Sequence, residues 1–342
     1  MEEKTLVRNS IDILQKPRLA FLGVGWIGRN RMEAIAGSSL AQVSAIADAD
    51  IANSHAAAAG FPDATVFEGY KDILADPSID GIVIATPSAL HAEQVMLALQ
   101  AGKAVFCQKP LARNFQETQN IVAAARDADK LLAVDFSYRY TKAMQSIARL
   151  VESGALGKIY AVQLTFHNAY GPDKPWFYDP KLSGGGCVMD LGIHLVDLAL
   201  WILHFPDITG VESRLYQKGK AMKSLEGMVE DYAFSSIDLA DGCHLNLNCS
   251  WNLPAGKEAV IEAVFYGTNG GAAFRNVNGS FYDFTAEHFT GTKTETLFAG
   301  KDNWGGQAGI SWVKKLASGA AFDEQNYDFL KIAALIDQIY RR

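Results

Sequence analysis

Residues 18–28 read RLAFLGVGWIG, and this stretch decides the fold. The segment RLAFL is mostly apolar and predicts a strand, which leads directly into a Gly-x-Gly-x-x-Gly motif at Gly23, Gly25 and Gly28. In such a motif the first glycine permits a tight turn, the second lets the backbone approach a pyrophosphate, and the third lets a helix pack on the strand. Because the chain contains 30 glycines, the motif alone is a weak signal, and its place between a strand and a candidate helix gives it weight.

The pattern of a strand followed by a helix repeats as far as residue 136. The segments AQVSAIA, GIVIA, AVFC and LLAVDF predict further strands, and Ala-rich segments such as HAEQVMLALQAG predict the helices between them. Strands that are apolar on both faces and alternate with helices predict a doubly wound parallel sheet covered on both sides. We therefore expect a Rossmann domain at residues 17–138, preceded by an N-terminal extension at residues 1–16.

Beyond residue 138 the pattern changes to a simple alternation. Residues 243–251 read CHLNLNCSW, in which the apolar side chains would all face one side of a strand. Several such strands, separated by turns such as Asp241-Gly242, predict a mostly antiparallel, open-faced sheet. Residues 139–342 are therefore expected to form a second, α+β domain.

Composition excludes several classes of protein. A hydrophobic content of 49% and a charged content of 20% are ordinary for a folded chain and exclude a largely disordered one. The net charge of −7 argues against nucleic acid or an anionic membrane as the main partner. We find neither a signal-peptide pattern nor an apolar run of membrane-spanning length, and we expect a cytoplasmic protein.

The four cysteines show neither a C-x-x-C pair nor zinc spacing. Cys243 and Cys249 lie too far apart on one strand to form a disulfide, so we expect reduced thiols.

Asp48 ends the second predicted strand, at the position where a dinucleotide-binding domain carries an acidic residue. A carboxylate there accepts hydrogen bonds from the adenosine ribose and repels a 2′-phosphate, and no Lys or Arg occurs between Asp48 and Gly60. This pattern predicts NAD rather than NADP, and the alternative is an ordinary α/β turn with an exposed aspartate.

Two predicted strand ends approach the crevice in which open α/β sheets bind their ligands. GIVIA leads into Thr86, Pro87 and His91, and AVFC leads into Gln108-Lys109-Pro110. An ammonium at Lys109 would polarise a substrate hydroxyl, and the alternative is a solvated loop lysine.

Glycines 184–186 precede a helix that is apolar nearly all round and should be buried. At 100° per residue its ionisable residues Asp190, His194 and Asp197 lie on one stripe with Trp201. Buried carboxylates are costly unless they are paired or line a polar cavity, so the stripe predicts a substrate pocket. The alternative is that Asp–His hydrogen bonds only cap the helix, and we expect no metal although the spacing could hold zinc.

These segments together resemble the Gfo/Idh/MocA superfamily, which includes glucose–fructose oxidoreductase and inositol dehydrogenases. The resemblance covers roughly residues 18–342 and is most specific in SGGGCVMDLGIHLVD at residues 183–197. It also rests on GVGWIG, ATPSALH, Lys109-Pro110 and FSYRY. The family's usual Glu-Lys-Pro is Gln108-Lys109-Pro110 here, which puts any tuning of the lysine by a neighbouring carboxylate in doubt.

The resemblance implies that NAD oxidises a secondary alcohol of a sugar, inositol or related polyol, or that NADH reduces the matching ketone. Lys109, Asp190 and His194 match the family's catalytic trio. We interpret His194 as the general acid/base, Lys109 as the group that polarises the hydroxyl, and Asp190 as the group that orients substrate and histidine. The expected cofactor-binding residues are Gly23, Gly25, Trp26, Ile27, Gly28, Asp48, Thr86, Pro87, His91 and Lys109. The expected substrate-binding residues are Lys109, Tyr138, Arg139, Trp176, Asp190 and His194, although Trp176 could equally belong to the core.

Alternatives to the dehydrogenase remain open at this point. They are a glycoside-cleaving enzyme that uses transient oxidation by bound NAD, a reductase of tetrapyrroles or unsaturated small molecules, and a non-catalytic NAD-sensing regulator. The resemblance also implies that the open sheet mediates oligomers. We expect a homodimer or homotetramer, because the stripe His244, Asn246, Asn248 and Ser250 is polar but uncharged.

Overall fold

The structure, a computed structural model, describes residues 16–341, so residues 1–15 of the expected extension lie outside it. The described chain forms two sheets, one of six strands and one of nine. The first is the predicted parallel sheet of a Rossmann domain and the second is the predicted, mostly antiparallel sheet. The predicted fold class is confirmed.

The first sheet is parallel throughout and has the strand order β3-β2-β1-β4-β5-β6. Its strands are β1 (Arg18–Leu22), β2 (Gln42–Ala47), β3 (Thr65–Val66), β4 (Gly81–Ile84), β5 (Ala104–Cys107) and β6 (Leu132–Val134). The connecting helices are α1 (Trp26–Gly37), α2 (Ile51–Ala58), α3 (Tyr70–Ala75), α4 (Ser88–Gln100) and α5 (Phe115–Asp127). The sequence predicts five of these strands and misses β3, whose two residues are too few to show a period.

The second sheet has the strand order β15-β14-β13-β12-β7-β11-β10-β8-β9. Its strands are β7 (Ile159–Asn168), β8 (Ile208–Gln217), β9 (Lys220–Met222), β10 (Tyr232–Leu239), β11 (His244–Ser250), β12 (Ala259–Gly267), β13 (Gly271–Asn276), β14 (Phe284–Thr290) and β15 (Lys293–Ala299). The helices of this half of the chain are α6 (Lys142–Glu152), α7 (Pro180–Ser183), α8 (Ile193–Ile202), α9 (Gln307–Ala317) and α10 (Asp328–Tyr340). All neighbouring strands are antiparallel except β7 and β11, which run parallel.

The alternation predicted for β11 is present. Leu245, Leu247 and Cys249 are fully buried, and this face of β11 packs against the helical turn at Val188–Gly192 that leads into α8. Asn246 and Asn248 point to the other side and are partly exposed. One face of the sheet is therefore apolar and covered, and the other is polar.

Helix α9 returns to the first sheet. Its Trp312 is buried against Phe106 of β5, with ring centroids 5.8 Å apart, in a core that also contains Phe21 of β1. Alternate side chains of the same strands, such as those of Leu22 and Ile84, enter the larger core shared with the second sheet. Helix α9 therefore packs against the first sheet, although it lies within residues 139–342, which are expected to form the second domain.

One apolar stretch corrects the expectation that no segment has membrane-spanning length. Residues 180–202 are long and apolar enough by composition, but 83% of their most apolar window is buried inside the fold. Such burial is typical of a central core helix.

Candidate active site

The glycine loop after β1 has the geometry of a phosphate-binding turn. Gly23 has a positive φ of 78°, and a Cβ on Gly28 would lie 1.9 Å from the Gly23 carbonyl oxygen. At Gly25 a Cβ would meet nothing within 4 Å, so this position faces open space. No side chain caps α1 and no acidic residue lies in its first turn. The amide N–H groups at the start of α1 are therefore suited to hold a pyrophosphate.

Asp48 lies at the end of β2 and braces this loop. One carboxylate oxygen accepts a hydrogen bond from Val24 N at 2.7 Å, and the other accepts one from Asp50 N at 2.9 Å. The side chain remains partly exposed, so it can also accept a bond from a ribose hydroxyl. Next to it Trp26, at the first position of α1, is 74% exposed and Ile27 is partly exposed.

The loop after β4 begins with the partly exposed Thr86 and the exposed Pro87, as a cofactor contact requires. His91, which is expected to contact the cofactor, is buried behind this loop. This side chain is 1% exposed, and its ring nitrogens lie 2.7 Å from the Pro110 carbonyl oxygen and 2.8 Å from the Thr86 carbonyl oxygen. Both nitrogens are thus occupied by backbone, and His91 joins the loop after β4 to the loop that carries Lys109.

Lys109 follows β5, and its peptide bond to Pro110 is cis. Its ammonium donates to Asp190 Oδ1 at 2.9 Å and to the Asp190 carbonyl oxygen at 2.7 Å. The second carboxylate oxygen of Asp190 accepts a hydrogen bond from Trp251 Nε1 at 3.1 Å. The two predicted residues therefore meet across the two halves of the chain, and the carboxylate is held from both sides.

His194 lies beside an aromatic wall. Its ring centroid is 4.8 Å from that of Tyr138 and 6.5 Å from that of Phe166. The ring is partly exposed, but Nδ1 is buried and has no hydrogen-bond partner in the described chain. Burial, Lys109 and Arg31 lower the pKa of His194 well below its usual value, so the ring is neutral at neutral pH.

Asp190 is expected to orient His194, but no hydrogen bond joins the two side chains in the described chain. The Asp190 carboxylate bonds Lys109 and Trp251, and the surrounding cations favour the neutral imidazole. One cause is a π-helical turn at Val188–Gly192, where the wider helix does not follow the 100° spacing used in the sequence analysis.

Asp197 and Trp201, the remaining residues of the predicted stripe, lie in a different part of the molecule. Asp197 is 1% exposed and accepts a hydrogen bond from Arg139 Nε at 2.9 Å. The guanidinium also lies 5.5–5.7 Å from the rings of Phe136, Trp201 and Phe205. Arg139 and Trp201 line a separate cavity of about 370 Å³, which Lys109, Asp190 and His194 do not line. Arg139, which is expected to bind substrate, and Asp197, which is expected to face the pocket, are therefore paired with each other beside this second cavity.

Tyr138 and Trp176, the two aromatic residues expected to bind substrate, lie at different parts of the site. Tyr138 is 7% exposed and packs on the His194 ring. Trp176 is only partly buried and stacks on Phe177 at 3.8 Å, and Phe177 lies 6.4 Å from Trp251. Trp176 is therefore part of a wall that leads to Asp190 and not part of the core.

A buried carboxylate that the sequence analysis missed holds the helix carrying Asp190. Glu230 is fully buried and accepts hydrogen bonds from Gly186 N at 3.0 Å, Val188 N at 2.9 Å and the Tyr340 hydroxyl at 2.7 Å. These bonds fix the glycine segment and the π-helical turn. The partners lie 44, 42 and 110 residues away in sequence, so no local pattern marks Glu230.

The structure also explains the departure at Gln108. The Gln108 amide donates to the buried carboxylate of Asp135, which lies 2.5 Å from Arg31 Nε. Gln108 thus belongs to a buried network with Arg31 and Asp135, whereas the Lys109 side chain pairs with Asp190. Arg31, Asp135 and Trp251 are further residues that the sequence analysis did not assign to the site. Within residues 16–341 no three His, Cys, Asp or Glu side chains converge as a metal site requires.

Two family models match successive parts of the chain. Residues 18–136 match the oxidoreductase family with an NAD-binding Rossmann fold, and residues 144–273 match the GFO/IDH/MocA C-terminal domain. The chain belongs to the Gfo/Idh/MocA family. The resemblance seen in the sequence is thereby confirmed, and the first domain binds NAD or NADP.

Individual relatives agree with this assignment. The Gfo/Idh/MocA protein described here is 28% identical over 275 residues to D-glucoside 3-dehydrogenase of Escherichia coli (strain K12), a match that covers 75% of this chain and 76% of the relative. It is 28% identical over 291 residues to levoglucosan dehydrogenase of Pseudarthrobacter phenanthrenivorans, covering 76% and 74%. A solved structure of levoglucosan dehydrogenase with NADH and levoglucosan has a TM-score of 0.82 at 22% identity, and the match covers 96% of this chain and 97% of that one. That likeness shows the shared fold, and solved structures of similar fold hold either NAD or NADP.

Proposed function

We propose that this protein is an NAD-dependent dehydrogenase that oxidises a secondary hydroxyl of a sugar, inositol or related polyol, or reduces the matching ketone. One observation carries the proposal: Lys109, from the end of a Rossmann strand, forms an ion pair with Asp190, one helical turn before the neutral His194. Relatives named for glucoside and levoglucosan dehydrogenation support the choice of substrate class.

The residues divide the chemistry as follows. The glycine loop at Gly23, Gly25 and Gly28 would hold NAD, which would supply the acceptor for the hydride of the carbinol carbon. The Lys109 ammonium donates a hydrogen bond to the reacting oxygen and favours its loss of a proton. The neutral His194 imidazole accepts that proton, and in ketone reduction it returns it. Asp190 keeps Lys109 in place through the 2.9 Å contact and is itself held by Trp251.

Cofactor choice is proposed as NAD over NADP. The support is the Asp48 carboxylate at the end of β2, which would repel a 2′-phosphate, and the lack of any Lys or Arg from Asp48 to Gly60. The uncapped start of α1 and the open space at Gly25 fit the pyrophosphate.

We further propose a cytoplasmic homodimer or homotetramer. All four cysteines are free thiols, which fits a reducing compartment. The polar face of the second sheet, with Asn246 and Asn248, supports assembly through that sheet. A monomer in light scattering at micromolar concentration would contradict the proposed assembly.

A substrate panel tests the function. Sugars, glycosides and polyols are offered with NAD while NADH absorbance is followed, and the proposal expects net NADH with at least one of them. Cleaved glycoside without net NADH would instead support the alternative of transient oxidation. Absence of both products across the panel would contradict the proposal.

A further inference from the structure

Three tyrosines expose much of their rings around the candidate active site. Tyr170 is 50% exposed, Tyr178 is 45% exposed and Tyr282 is 56% exposed. We refer to these three residues as the tyrosine rim. Exposed aromatic side chains that cluster together mark contact with a ligand more often than a single one does.

Tyr178 stands one aromatic ring away from Asp190. Its ring centroid is 5.6 Å from that of Trp251 at an interplanar angle of 62°. Trp251 in turn donates its Nε1 hydrogen to Asp190 at 3.1 Å. The Tyr178 ring is therefore adjacent to the Lys109–Asp190 pair but one layer further out.

Tyr282 is linked to His194 by a longer chain of contacts, which begins at its backbone. Its carbonyl oxygen accepts a hydrogen bond from Trp304 Nε1 at 2.9 Å, and the Trp304 ring lies 5.2 Å from that of Tyr138. Tyr138 packs on His194 at 4.8 Å. Tyr170 completes the rim beside the neighbouring Phe281, with ring centroids 6.2 Å apart. Tyr178 is thus next to the Lys109–Asp190 pair, and the loop that carries Phe281 and Tyr282 connects to His194.

Part of the rim is held in position before any ligand arrives. The Tyr178 hydroxyl donates to the Pro172 carbonyl oxygen at 2.9 Å. A Cβ on Gly171 would lie 2.3 Å from that hydroxyl, so the phenol lies directly against the backbone. A ring that is already ordered loses little conformational entropy when a ligand stacks on it.

The charged groups that act on the rim are carboxylates. Partial burial, Asp190 and Asp173 raise the pKa of Tyr178, and partial burial and Glu258 are the leading causes that raise the pKa of Tyr170. Two of these carboxylates are paired with a lysine, Asp190 with Lys109 and Asp173 with Lys174, so the rim offers a ligand aromatic faces and not a net charge. Such faces suit an uncharged ring with an apolar face.

We propose that the tyrosine rim is a subsite for the second ring of a glycoside. The sugar ring that reacts lies at Lys109, Asp190 and His194, while an uncharged aglycone or second sugar stacks on Tyr170, Tyr178 and Tyr282. This inference rests on the proposed function and narrows its substrate class from free polyols to glycosides.

The test compares glucose with phenyl glucoside in the wild type, Tyr170→Ala and Tyr282→Ala. Tyr160→Ala is the matched control, because Tyr160 is 52% exposed but lies in β7, away from the rim. Aromatic stacking of ordinary strength predicts that each rim variant loses about 2- to 12-fold in kcat/KM for phenyl glucoside. The loss should arise mainly from KM, and kcat/KM for glucose should be unchanged.

Calorimetry on the NADH-loaded protein separates this inference from the proposed function. The subsite is supported if the wild type binds phenyl glucoside more tightly than glucose and the rim variants bind phenyl glucoside more weakly than the wild type does. This result supports the subsite even if no sugar is oxidised, although the absence of oxidation would contradict the proposed function. The subsite is overturned if the wild type binds the two ligands equally tightly, or if the rim variants lose the same affinity for both. Oxidation of a sugar would still support the proposed function in either case.

Discussion

Replacing Asp190 by asparagine tests how the carboxylate positions Lys109. The two Asp190 oxygens accept from two donors, Lys109 Nζ at 2.9 Å and Trp251 Nε1 at 3.1 Å. Asparagine has one oxygen, so its amide NH₂ must face one of these donors. The side chains of Lys109 and Asp190 are only 18% and 16% exposed, so solvent screens the pair weakly. Leaving one such donor unpaired costs about 1–3 kcal/mol.

If that free energy is lost from the transition state, kcat/KM falls about 5- to 150-fold. The assay is NADH formation with the substrate found in the panel, together with NADH binding by calorimetry. NADH affinity should stay within about twofold, because the cofactor loop is carried by the other domain. Asp127→Asn, which changes a carboxylate that is 67% exposed on α5, is the matched control. An Asp190→Asn enzyme with the wild-type kcat/KM would refute the positioning role.

Three further predictions follow from charge and burial. Because His194 has its pKa held below the usual 6.5 by burial, Lys109 and Arg31, the imidazole stays neutral at pH 6.5. The acid limb of kcat/KM should therefore lie below that pH, and a limb centred at or above it would contradict the assigned base. Asp48→Ser should lower the preference for NAD over NADP by about 10- to 100-fold in calorimetry, and an unchanged ratio would remove the role of the carboxylate. Burial raises the pKa of Cys107 and Cys187 well above the usual range and that of Cys243 to about 11. All four buried thiols should react slowly with a disulfide reagent until the chain is unfolded. Rapid reaction of the native protein would show that the thiols are accessible and would contradict their burial.

Features with a local periodic signal could be predicted from the sequence. The strands β1 and β4 are continuous apolar runs, and β11 alternates, so each shows its type within a few residues. The same holds for the glycine loop and for the Lys109 and Asp190 positions, because motifs of fixed spacing mark them. Strand β3 and the return of α9 to the first sheet have no such signal, since both depend on contacts between distant segments.

Two departures from the expected site have physical causes. An ideal helix places Asp190, His194 and Asp197 on one stripe, but the π-helical turn shifts Asp190 relative to His194, and Asp197 pairs with Arg139. His91 looked like a ligand because it follows a strand end, yet two backbone carbonyls occupy its ring nitrogens. Sequence patterns give position along an element, whereas tertiary partners decide which polar groups remain available to a ligand.

The central claim is that Lys109 and His194 carry out the proton chemistry of alcohol oxidation. Single-turnover formation of NADH, with enzyme in excess over the panel substrate and NAD bound, measures that step apart from product release. We expect His194→Ala to slow the step by about 10²- to 10⁴-fold and Lys109→Ala to slow it at least as much. His194→Ala should bind NAD nearly as tightly as the wild type, because the Rossmann domain holds the cofactor. A near-wild-type rate in His194→Ala would contradict the account and would pass the role of base to another group.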